Sequence, residues 1–422
     1  MRDDGDTKAV LKKASEVHQA VYEVPYLAHA TMEPQNTTAS FKNGACEIWS
    51  PNQGPDVCQA LAADALGISR DKVTVHTTLM GGGFGRRGIP DFVAEAALVS
   101  RHVQKPVKLI WSREDDMKHD YYRPATYNVL EAALDANGQA QSWSHKIVAP
   151  SMFVSLLPVF GKVAPDWIPN WVTNSLTAVA SPFIKTRDPT AHEGAVDQPY
   201  AIANVDITHV YHDPGVPLGF WRSVGHSQNA FVVEGFIDEL AHKAGEDPYQ
   251  YRRRLLQGNE RHLGVLDLVA EKAGWGKPQL GTHQGIAVHE SFGTVVAEVA
   301  EVTVTNGAIK VERVVCAVNC GIVINPDQLY AQVESAVVFG LTAALRGQIT
   351  IKDGAVVQSN FNDYPLVRIN EAPLVEVHVV PSTAPPTGIG EPGTPPIAPA
   401  VANAVVAATG ARLRSLPLTL TA

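Results

Sequence analysis

The chain has 422 residues, of which 45% are hydrophobic and 18% are charged, and this composition is typical of a folded globular protein. Its length exceeds the size at which one hydrophobic core usually divides, so we expect two domains. The net charge of −9 disfavours binding to nucleic acid, which requires a concentrated basic surface.

The first half of the chain predicts alternating strands and helices around one glycine-rich loop. Residues 1–20 are expected to form a polar amphipathic helix or a loose leader before a first domain over 21–280. The predicted elements are a strand 46–49, a helix 56–66, a strand 72–79, the glycine loop 81–88, a helix 91–103, a strand 106–111 and a hairpin 126–148 with a D-x-N-G turn.

The second half predicts longer strands and further helices. Residues 149–200 lack periodicity and are expected to form a packed, irregular segment that walls a cavity. The remaining predicted elements are a strand 205–212, helices beginning at 229 and 248, strands 285–289, 294–305 and 309–318, a helix 327–345, a strand 375–380 and a helix 397–409. We therefore predict an α+β fold with mixed sheets and a second domain over 281–422.

The cysteines and the apolar runs exclude several classes. The four cysteines form neither C-x-x-C pairs nor the spacing of an iron–sulfur site, so we expect them to pack in the core and any cluster to lie on another chain. No run approaches the roughly 18 to 20 apolar residues of a membrane span, and the start MRDDGDTKAV lacks the features of a secretory signal.

Three glycine-containing loops precede helices, and each holds residues that are unusual for a loop: Phe84 with Arg86 and Arg87, Arg222 with Gln228, and Glu391. Three consecutive glycines at 81–83 allow positive φ and a close approach of the backbone to a ligand, and the following helix start suits an anionic or oxo group. The loop lacks the spacing of the dinucleotide fingerprint and has no Walker lysine, and a purely structural tight turn is an equal alternative.

Glu391 lies in GIGEPG, between flexible glycines and rigid prolines. A carboxylate in such a loop acts as a general base if a substrate proton lies within hydrogen-bond reach. The alternative is an exposed loop glutamate, which is the usual state of this residue type.

Five segments together resemble one family: YLAHATMEP, GGGFGRR, RSVGHSQNAFVVEGFIDELA, CGIVINPDQLYAQVESAVVFGL and GIGEPGTPPIAPAVANA. They resemble the molybdopterin-binding subunit of the xanthine dehydrogenase and aldehyde oxidase family, most nearly of the isoquinoline 1-oxidoreductase type. The resemblance covers nearly the whole chain. It implies the α+β fold of molybdenum hydroxylases and the oxidation of an aldehyde or N-heteroaromatic with water as the oxygen source.

The resemblance assigns roles to single residues. The glutamate of the family's GEP motif accepts the proton from the oxygen that will attack the substrate, and this role falls on Glu391. Arg222 matches an arginine at the substrate cavity, where its charge stabilises charge developing on the substrate. A surface arginine paired with Glu234 is the alternative, and Trp221 beside it is equally well explained as core.

The resemblance also implies cofactor contacts. Gln53, thirty-one residues before Phe84, matches a glutamine near an oxo ligand of the metal, although a simple turn residue is an alternative. The loop residues expected against the cofactor are Gly82, Gly83, Phe84, Gly85 and Arg86. Gln332 matches a glutamine that hydrogen-bonds the pterin, and a helix-capping residue is its alternative. No side chain of this chain is expected to ligate the metal.

By the same resemblance, the cofactor is molybdenum with molybdopterin, in its cytosine dinucleotide form. Electrons are expected to leave through iron–sulfur clusters on a separate small subunit, with cytochrome c as an acceptor. Relatives of this type are often periplasmic, but no export signal is visible, and the compartment stays open.

Two departures from the family pattern qualify these expectations. Relatives that act on purines have lysine and glutamate after the glycine loop, where this chain has Arg86, Arg87 and Gly88, so a purine substrate is disfavoured. The M-G-Q-G loop of complete relatives is absent, which predicts a companion chain that carries the N-terminal portion. The competing hypotheses are a non-catalytic fragment or assembly module and, disfavoured by the missing fingerprint, a flavin or nicotinamide dehydrogenase.

Overall fold

The computed structural model describes residues 1–163, 185 and 187–420. Within these ranges the strands are β1 (Arg2–Asp4), β2 (His18–Val24), β3 (Asn36–Lys42), β4 (Ala45–Ser50), β5 (Val73–Thr77), β6 (Val107–Ile110), β7 (Thr126–Leu134), β8 (Ala140–Ala149), β9 (Asn204–Tyr211), β10 (His283–Ser291), β11 (Thr294–Thr305), β12 (Ala308–Asn319), β13 (Ile351–Lys352), β14 (Ala355–Val356) and β15 (Leu374–Val379).

The helices in the same ranges complete the framework. They are α1 (Thr7–Lys13), α2 (Pro55–Leu66), α3 (Asp91–Val103), α4 (Arg113–Lys118), α5 (Met152–Phe160), α6 (His226–Lys243), α7 (Pro248–Leu255), α8 (Glu260–Ala273), α9 (Pro326–Leu345) and α10 (Ile397–Thr409). The predicted α+β class with mixed sheets is confirmed, since parallel and antiparallel pairs occur in every large sheet.

The first sheet has the strand order β1-β9-β8-β7-β2, with β8 and β9 parallel and the other pairs antiparallel. The predicted hairpin is present as β7 and β8, and the Asp135 carboxylate accepts hydrogen bonds from the turn amides of Asn137 and Gln139. The first 20 residues, predicted as a polar amphipathic helix or a loose leader, contain the helix α1 and the strand β1. Arg2 pairs with Ile207, and α1 begins at a side-chain cap from Asp6, so this segment is an integral edge of the sheet. A strand of three residues is too short to show periodicity.

The second sheet, with the order β5-β4-β3-β6, carries the predicted strand, loop, helix and strand succession. Helices α2 and α3 pack on it around apolar side chains such as Ile48, Cys58 and Phe92. The glycine loop lies between β5 and α3, as expected.

The third sheet has the order β10-β11-β12-β15 and is buried on both faces. Helices α8 and α10 pack on it, and Gly285 is required at one contact because a Cβ there would overlap the backbone of Ala400 and Ala404 in α10. One continuous set of buried apolar residues joins this sheet to the first sheet. The predicted domain boundary near residue 280 falls between α8 and β10 and stays a prediction.

Helix α6 lies between the first and third sheets and is buried along nearly its whole length. Its three acidic residues are paired: Glu234 with Arg252 at 2.9 Å, Asp238 with Arg412 at 2.6 Å, and Glu239 with Arg414 at 2.6 Å. Buried charges require such partners.

Part of the predicted irregular segment 149–200 is described, as α5 and as the turn-rich residues 187–200. The prediction of a cavity wall falls largely on residues 164–184 and 186, which lie outside the described residues. All four cysteines are buried with free thiols. Among the described helices, none combines the length and the hydropathy needed to cross a bilayer.

Candidate active site

The backbone of the glycine loop adopts positive φ angles, two of them at glycines. Gly82 and Gly85 have φ of +104° and +111°, and the intervening Phe84 has φ of +54° although it carries a side chain. A Cβ at Gly85 would overlap the carbonyl oxygen of Phe220, so this glycine allows the loop to press against the segment before Arg222. Strained non-glycine backbone of this kind is concentrated at functional sites.

Three consecutive amides of this loop are available to a ligand. Among the described residues, the N–H groups of Gly82, Gly83 and Phe84 donate to no protein acceptor. The flanking amides are occupied: Gly81 donates to Glu33 Oε2 at 2.7 Å, and Gly85 donates to Gln53 Oε1 at 3.1 Å. Successive free amides form a donor cluster that suits an oxo or phosphate-like acceptor.

Gln53 lies against the glycine loop, and its predicted contact with the cofactor stays a prediction. Its side-chain oxygen accepts from Gly85, its backbone N–H donates to the Arg87 carbonyl at 3.0 Å, and a Cβ at Gly83 would come within 2.6 Å of its Oε1. The residue is exposed, so its amide NH₂ group can reach a ligand above the loop.

The two arginines of the loop have structural roles. The Arg86 side chain is fully buried, donates to the Ile89 carbonyl at 2.7 Å and to Asp91 at 2.9 Å, and lies 3.2 Å from Asp120. The prediction that Arg86 contacts the cofactor is therefore corrected for its side chain, because these buried acceptors hold it inside the second sheet's core. This orientation depends on Asp91, five residues away, and on Asp120, which is distant in sequence.

Arg87 holds the loop closed. It is fully buried and donates from Nε to the Gly82 carbonyl at 2.8 Å and from Nη2 to the Glu33 carbonyl at 2.8 Å and carboxylate at 3.0 Å. Glu33 in turn accepts from Gly81, so the Arg87–Glu33 pair fixes Gly81 and Gly82. The sequence analysis did not identify Glu33, although it lies in one of the recognised segments.

An aromatic stack connects the glycine loop to helix α9 and to the segment that holds Arg222. Phe84 stacks on Phe339 of α9 with centroids 4.2 Å apart, and Phe339 stacks on Trp221 at 4.6 Å. The guanidinium of Arg222 lies 5.8 Å from the Phe84 ring centroid. Trp221 is buried, as its alternative interpretation as core expected.

Arg222 hydrogen-bonds the loop that holds Glu391 and the helix α9. It donates to the Gly390 carbonyl from Nε at 3.0 Å and Nη2 at 2.5 Å, to Ser335 Oγ at 3.0 Å and to Gln332 Oε1 at 3.2 Å. Burial lowers the pKa of Arg222 to about 10, and the negative charge of Glu391 opposes this effect. The alternative of a surface arginine paired with Glu234 is wrong, because Arg222 is buried and Glu234 binds Arg252.

Gln332 lies in the second turn of α9. The helix cap is Asn325, whose side chain accepts from the Gln328 amide at 3.2 Å, so the capping alternative for Gln332 is wrong. The oxygen of the Gln332 side chain is oriented by Arg222, and within the described part of the chain its amide nitrogen donates to no protein group. That nitrogen is therefore free for a ligand.

Glu391 lies in the turn before α10. Its backbone carbonyl accepts from Ser223 Oγ at 2.8 Å and from the Thr394 amide at 2.9 Å. Burial raises the pKa of the Glu391 carboxyl, while the Arg222 charge and the Ser223 amide lower it, and the net direction is upward. A half-buried carboxylate with a raised pKa is suited to general-base chemistry.

Sequence reasoning missed a second carboxylate, Glu193, and two histidines, His226 and His289. Burial raises the pKa of Glu193 to about 7, and the charge of Glu391 contributes to this shift. His226 Nδ1 lies 2.9 Å from His289 Nε2. The only sequence signal was His226 itself, an ionisable side chain directly after the glycine-containing segment that precedes α6.

Comparison with known proteins places this site in a family. The family model described as a molybdopterin cofactor-binding domain matches residues 1–152, and a second model of the same description matches residues 240–373. The chain is 33% identical over 398 residues to the isoquinoline 1-oxidoreductase subunit beta of Brevundimonas diminuta, covering 92% of this chain and 48% of that protein. It is 31% identical to a membrane-bound aldehyde dehydrogenase (pyrroloquinoline-quinone) of Gluconacetobacter polyoxogenes, covering 99% and 55% of the two chains.

Solved structures show the same fold. Quinoline 2-oxidoreductase from Pseudomonas putida 86 superposes with a TM-score of 0.80 at 12% identity and covers 98% of this chain and 76% of its own. The aldehyde oxidoreductase from Desulfovibrio gigas gives a TM-score of 0.75 at 15% identity, with 98% and 62% coverage.

The chain belongs to the family of molybdopterin cofactor-binding proteins and carries two domains of that description. It spans about half the length of the curated relatives described here, 48% and 55%.

Proposed function

We propose that this chain is the molybdopterin-binding part of an oxidoreductase that oxidises an aldehyde or an N-heteroaromatic with water as the oxygen source. The observation that carries the proposal is the junction of three distant loops at one place. Arg222 hydrogen-bonds both Gln332 and Gly390, and its guanidinium lies near the Phe84 ring. The glycine loop, α9 and the Glu391 loop therefore meet at Arg222.

The residues present fit the cofactor. Its oxygen and phosphate acceptors match the free amides of Gly82, Gly83 and Phe84, and the free side-chain nitrogens of Gln53 and Gln332 match pterin and oxo acceptors. When bound, molybdopterin with its molybdenum supplies the two-electron redox chemistry. The cytosine dinucleotide form is part of the proposal, on family resemblance alone.

Within this site, Glu391 accepts a proton from the water-derived oxygen that adds to the electrophilic carbon of the substrate. Its raised pKa brings the carboxyl closer to the value at which a base works best at neutral pH. Arg222 positions Glu391 by binding the preceding carbonyl, and its permanent charge lies where negative charge develops.

The partners are proposed from the same resemblance. Electrons leave to iron–sulfur clusters on a separate small subunit and onward to an acceptor such as cytochrome c. A companion chain is likewise proposed on the resemblance alone.

The test is metal analysis by mass spectrometry on the purified chain, alone and after co-expression with its neighbouring open reading frames. We expect stoichiometric molybdenum in the co-expressed sample, together with oxidation of an aldehyde or N-heteroaromatic substrate. No molybdenum in either sample would overturn the proposal in favour of a non-catalytic fragment or assembly module.

A further inference from the structure

A buried histidine with no role in the proposed cofactor contacts lies between the glycine loop and the segment that precedes α6. His29 lies on the connection from β2 to β3, and its neighbours fix the backbone there. Leu27 and Arg123 exchange backbone hydrogen bonds at 2.9 Å and 3.4 Å, and the Ala28 carbonyl accepts from Trp221 Nε1 at 3.3 Å. The imidazole ring of His29 therefore starts from a defined backbone position.

Both ring nitrogens of His29 face hydrogen-bond acceptors. Nε2 lies 2.8 Å from the carbonyl oxygen of Phe220, and Nδ1 lies 2.9 Å and 3.1 Å from the two carboxylate oxygens of Asp120. A carbonyl oxygen and a carboxylate oxygen can only accept, so each ring nitrogen carries a hydrogen. The ring is therefore an imidazolium that is buried together with the carboxylate of Asp120.

The surroundings of Asp120 keep its carboxyl group ionised. Oδ2 accepts from the backbone amide of His29 at 2.6 Å, Oδ1 accepts from the amide of Tyr121 at 2.7 Å, and Arg86 Nε lies 3.2 Å away. Burial raises the pKa of Asp120, but His29 and Arg86 outweigh burial and lower it. A carboxylate with these donors has no proton to offer to the ring, which agrees with a charged His29.

The carbonyl of Phe220 is the point at which the glycine loop meets the segment before α6. A Cβ at Gly85 would overlap this oxygen and would lie 3.2 Å from His29 Nε2, so the loop backbone and the imidazole ring converge on one atom. In the part of the chain that the structure describes, His29 is the one donor to this carbonyl. Loss of that donor would leave a partly buried acceptor unpaired, which is unfavourable.

The position of this carbonyl bears on the proposed base. Phe220 lies two residues before Arg222, and Arg222 donates twice to the carbonyl of Gly390, the residue before Glu391. A displacement of Phe220 would therefore move Arg222 and, through Gly390, the Glu391 loop. Small displacements of a reacting group have large effects on rate.

We propose that His29 is a positioning residue for the proposed oxidation. One N–H of its imidazolium holds the Phe220 carbonyl and the other holds Asp120, and the segment with Arg222 is thereby fixed against the glycine loop. The inference rests on the proposed function, in which Glu391 is the base. His29 acts through Phe220 and takes no part in proton transfer.

Two substitutions separate the two hydrogen bonds of the ring. His29→Gln places an amide nitrogen near the position of Nε2 and keeps the bond to Phe220, whereas His29→Asn places one near Nδ1 and keeps only the bond to Asp120. In the holoenzyme with its partner subunits, we expect kcat within about threefold of the wild type for His29→Gln and about 10- to 100-fold lower for His29→Asn, with KM changed less than kcat. Equal kcat in the two variants, or a larger loss in His29→Gln, overturns the proposal.

A second readout is independent of turnover. Hydrogen exchange measured by mass spectrometry on peptides that cover residues 81–88 and 217–225 should be faster in His29→Asn than in the wild type and unchanged in His29→Gln. Wild-type exchange rates in His29→Asn would overturn the positioning role. A wild-type holoenzyme without oxidation activity would instead refute the proposed function, and the exchange comparison would still test His29.

The matched control is His145→Gln in the first sheet. His145 is also buried, and its Nε2 lies 3.0 Å from Asn128 Oδ1, away from the three loops. We expect wild-type kcat and wild-type exchange of both peptides in this variant, and a loss equal to that of His29→Asn overturns the proposal.

A measurement on the wild type decides the matter if His29→Asn does not fold. Nuclear magnetic resonance of the protein labelled with ¹⁵N-histidine should show, at neutral pH, one ring with two slowly exchanging N–H groups, whose signals are lost in His29→Gln. The absence of such a ring would overturn the proposed imidazolium.

Discussion

Arg222 donates two hydrogen bonds to the carbonyl oxygen of Gly390, from Nε at 3.0 Å and from Nη2 at 2.5 Å, and thereby fixes the residue directly before Glu391. A forked guanidinium makes this contact, whereas a lysine ammonium on a flexible stem cannot reproduce it. Arg222 and Gly390 are 168 residues apart in the sequence, so a distant segment sets the position of the proposed base.

Replacing this arginine tests the positioning. Arg222→Lys keeps a positive charge and loses the fork, and we expect kcat to fall by about 10- to 100-fold because the base is displaced. Arg222→Met should lower turnover further while molybdenum content falls less than turnover. Steady-state kinetics and metal analysis on the same samples check both expectations; an equal loss of metal and turnover would make Arg222 a cofactor-holding residue.

The base itself is tested by Glu391→Gln. The substitution preserves shape and removes the proton acceptor, so we expect kcat to fall by about 10²- to 10⁴-fold at unchanged molybdenum content. Glu271→Gln, at an exposed position of α8, is the control and should behave as the wild type. Normal turnover in Glu391→Gln would remove the assignment.

The glycine loop offers a matched pair of substitutions. Gly85→Ala should destabilise the fold and lower molybdenum occupancy, because Gly85 has φ of +111° and its Cβ would overlap the Phe220 carbonyl. The strain is on the order of 1–3 kcal/mol before any clash is counted. Gly88→Ala, with no atom near its Cβ position, should have little effect. Urea unfolding and metal analysis measure both, and equal behaviour of the two variants would contradict the described loop geometry.

Acid stability should depend on Glu239 of α6. Burial raises the pKa of this carboxyl, but hydrogen bonds from Arg414, His18 and Tyr22 outweigh burial and lower it to about 2, from an ordinary value of 4.5. Since the folded-state pKa is depressed, the stabilisation is complete above pH 4.5 and is lost as pH falls towards 2. Urea unfolding at about pH 5, above that window, and at about pH 3, inside it, should show a larger loss of stability in the wild type than in Glu239→Gln, and the same loss in both would refute this prediction.

Local patterns predicted the helices and strands well where the hydrophobic periodicity of a segment determines its secondary structure. The helix Ile397–Thr409 and the strand Thr294–Thr305 have the predicted bounds, because in each the apolar pattern extends over about a dozen residues. Of the residues that the family motifs selected, Arg222 contacts Gln332 and the residue before Glu391, and Gln53 contacts the glycine loop; their roles stay predictions.

The side-chain positions that the sequence did not predict depend on contacts between distant segments. Adjacent Arg86 and Arg87 look equivalent in sequence, yet one turns to Asp120 and the other to Glu33, and only the fold decides which carboxylate lies within reach. Glu193 and His289 carry no motif, and they meet His226 only because β10 and the turn before 194 pack against the start of α6.

Gly285 has a consequence beyond packing. Because a side chain there would push α10 away from β10, and α10 follows directly from the turn that holds Glu391, this remote glycine governs where the base stands. We therefore expect substitutions in the interior of the third sheet, which touch neither substrate nor cofactor, to displace the proposed proton acceptor and to lower activity.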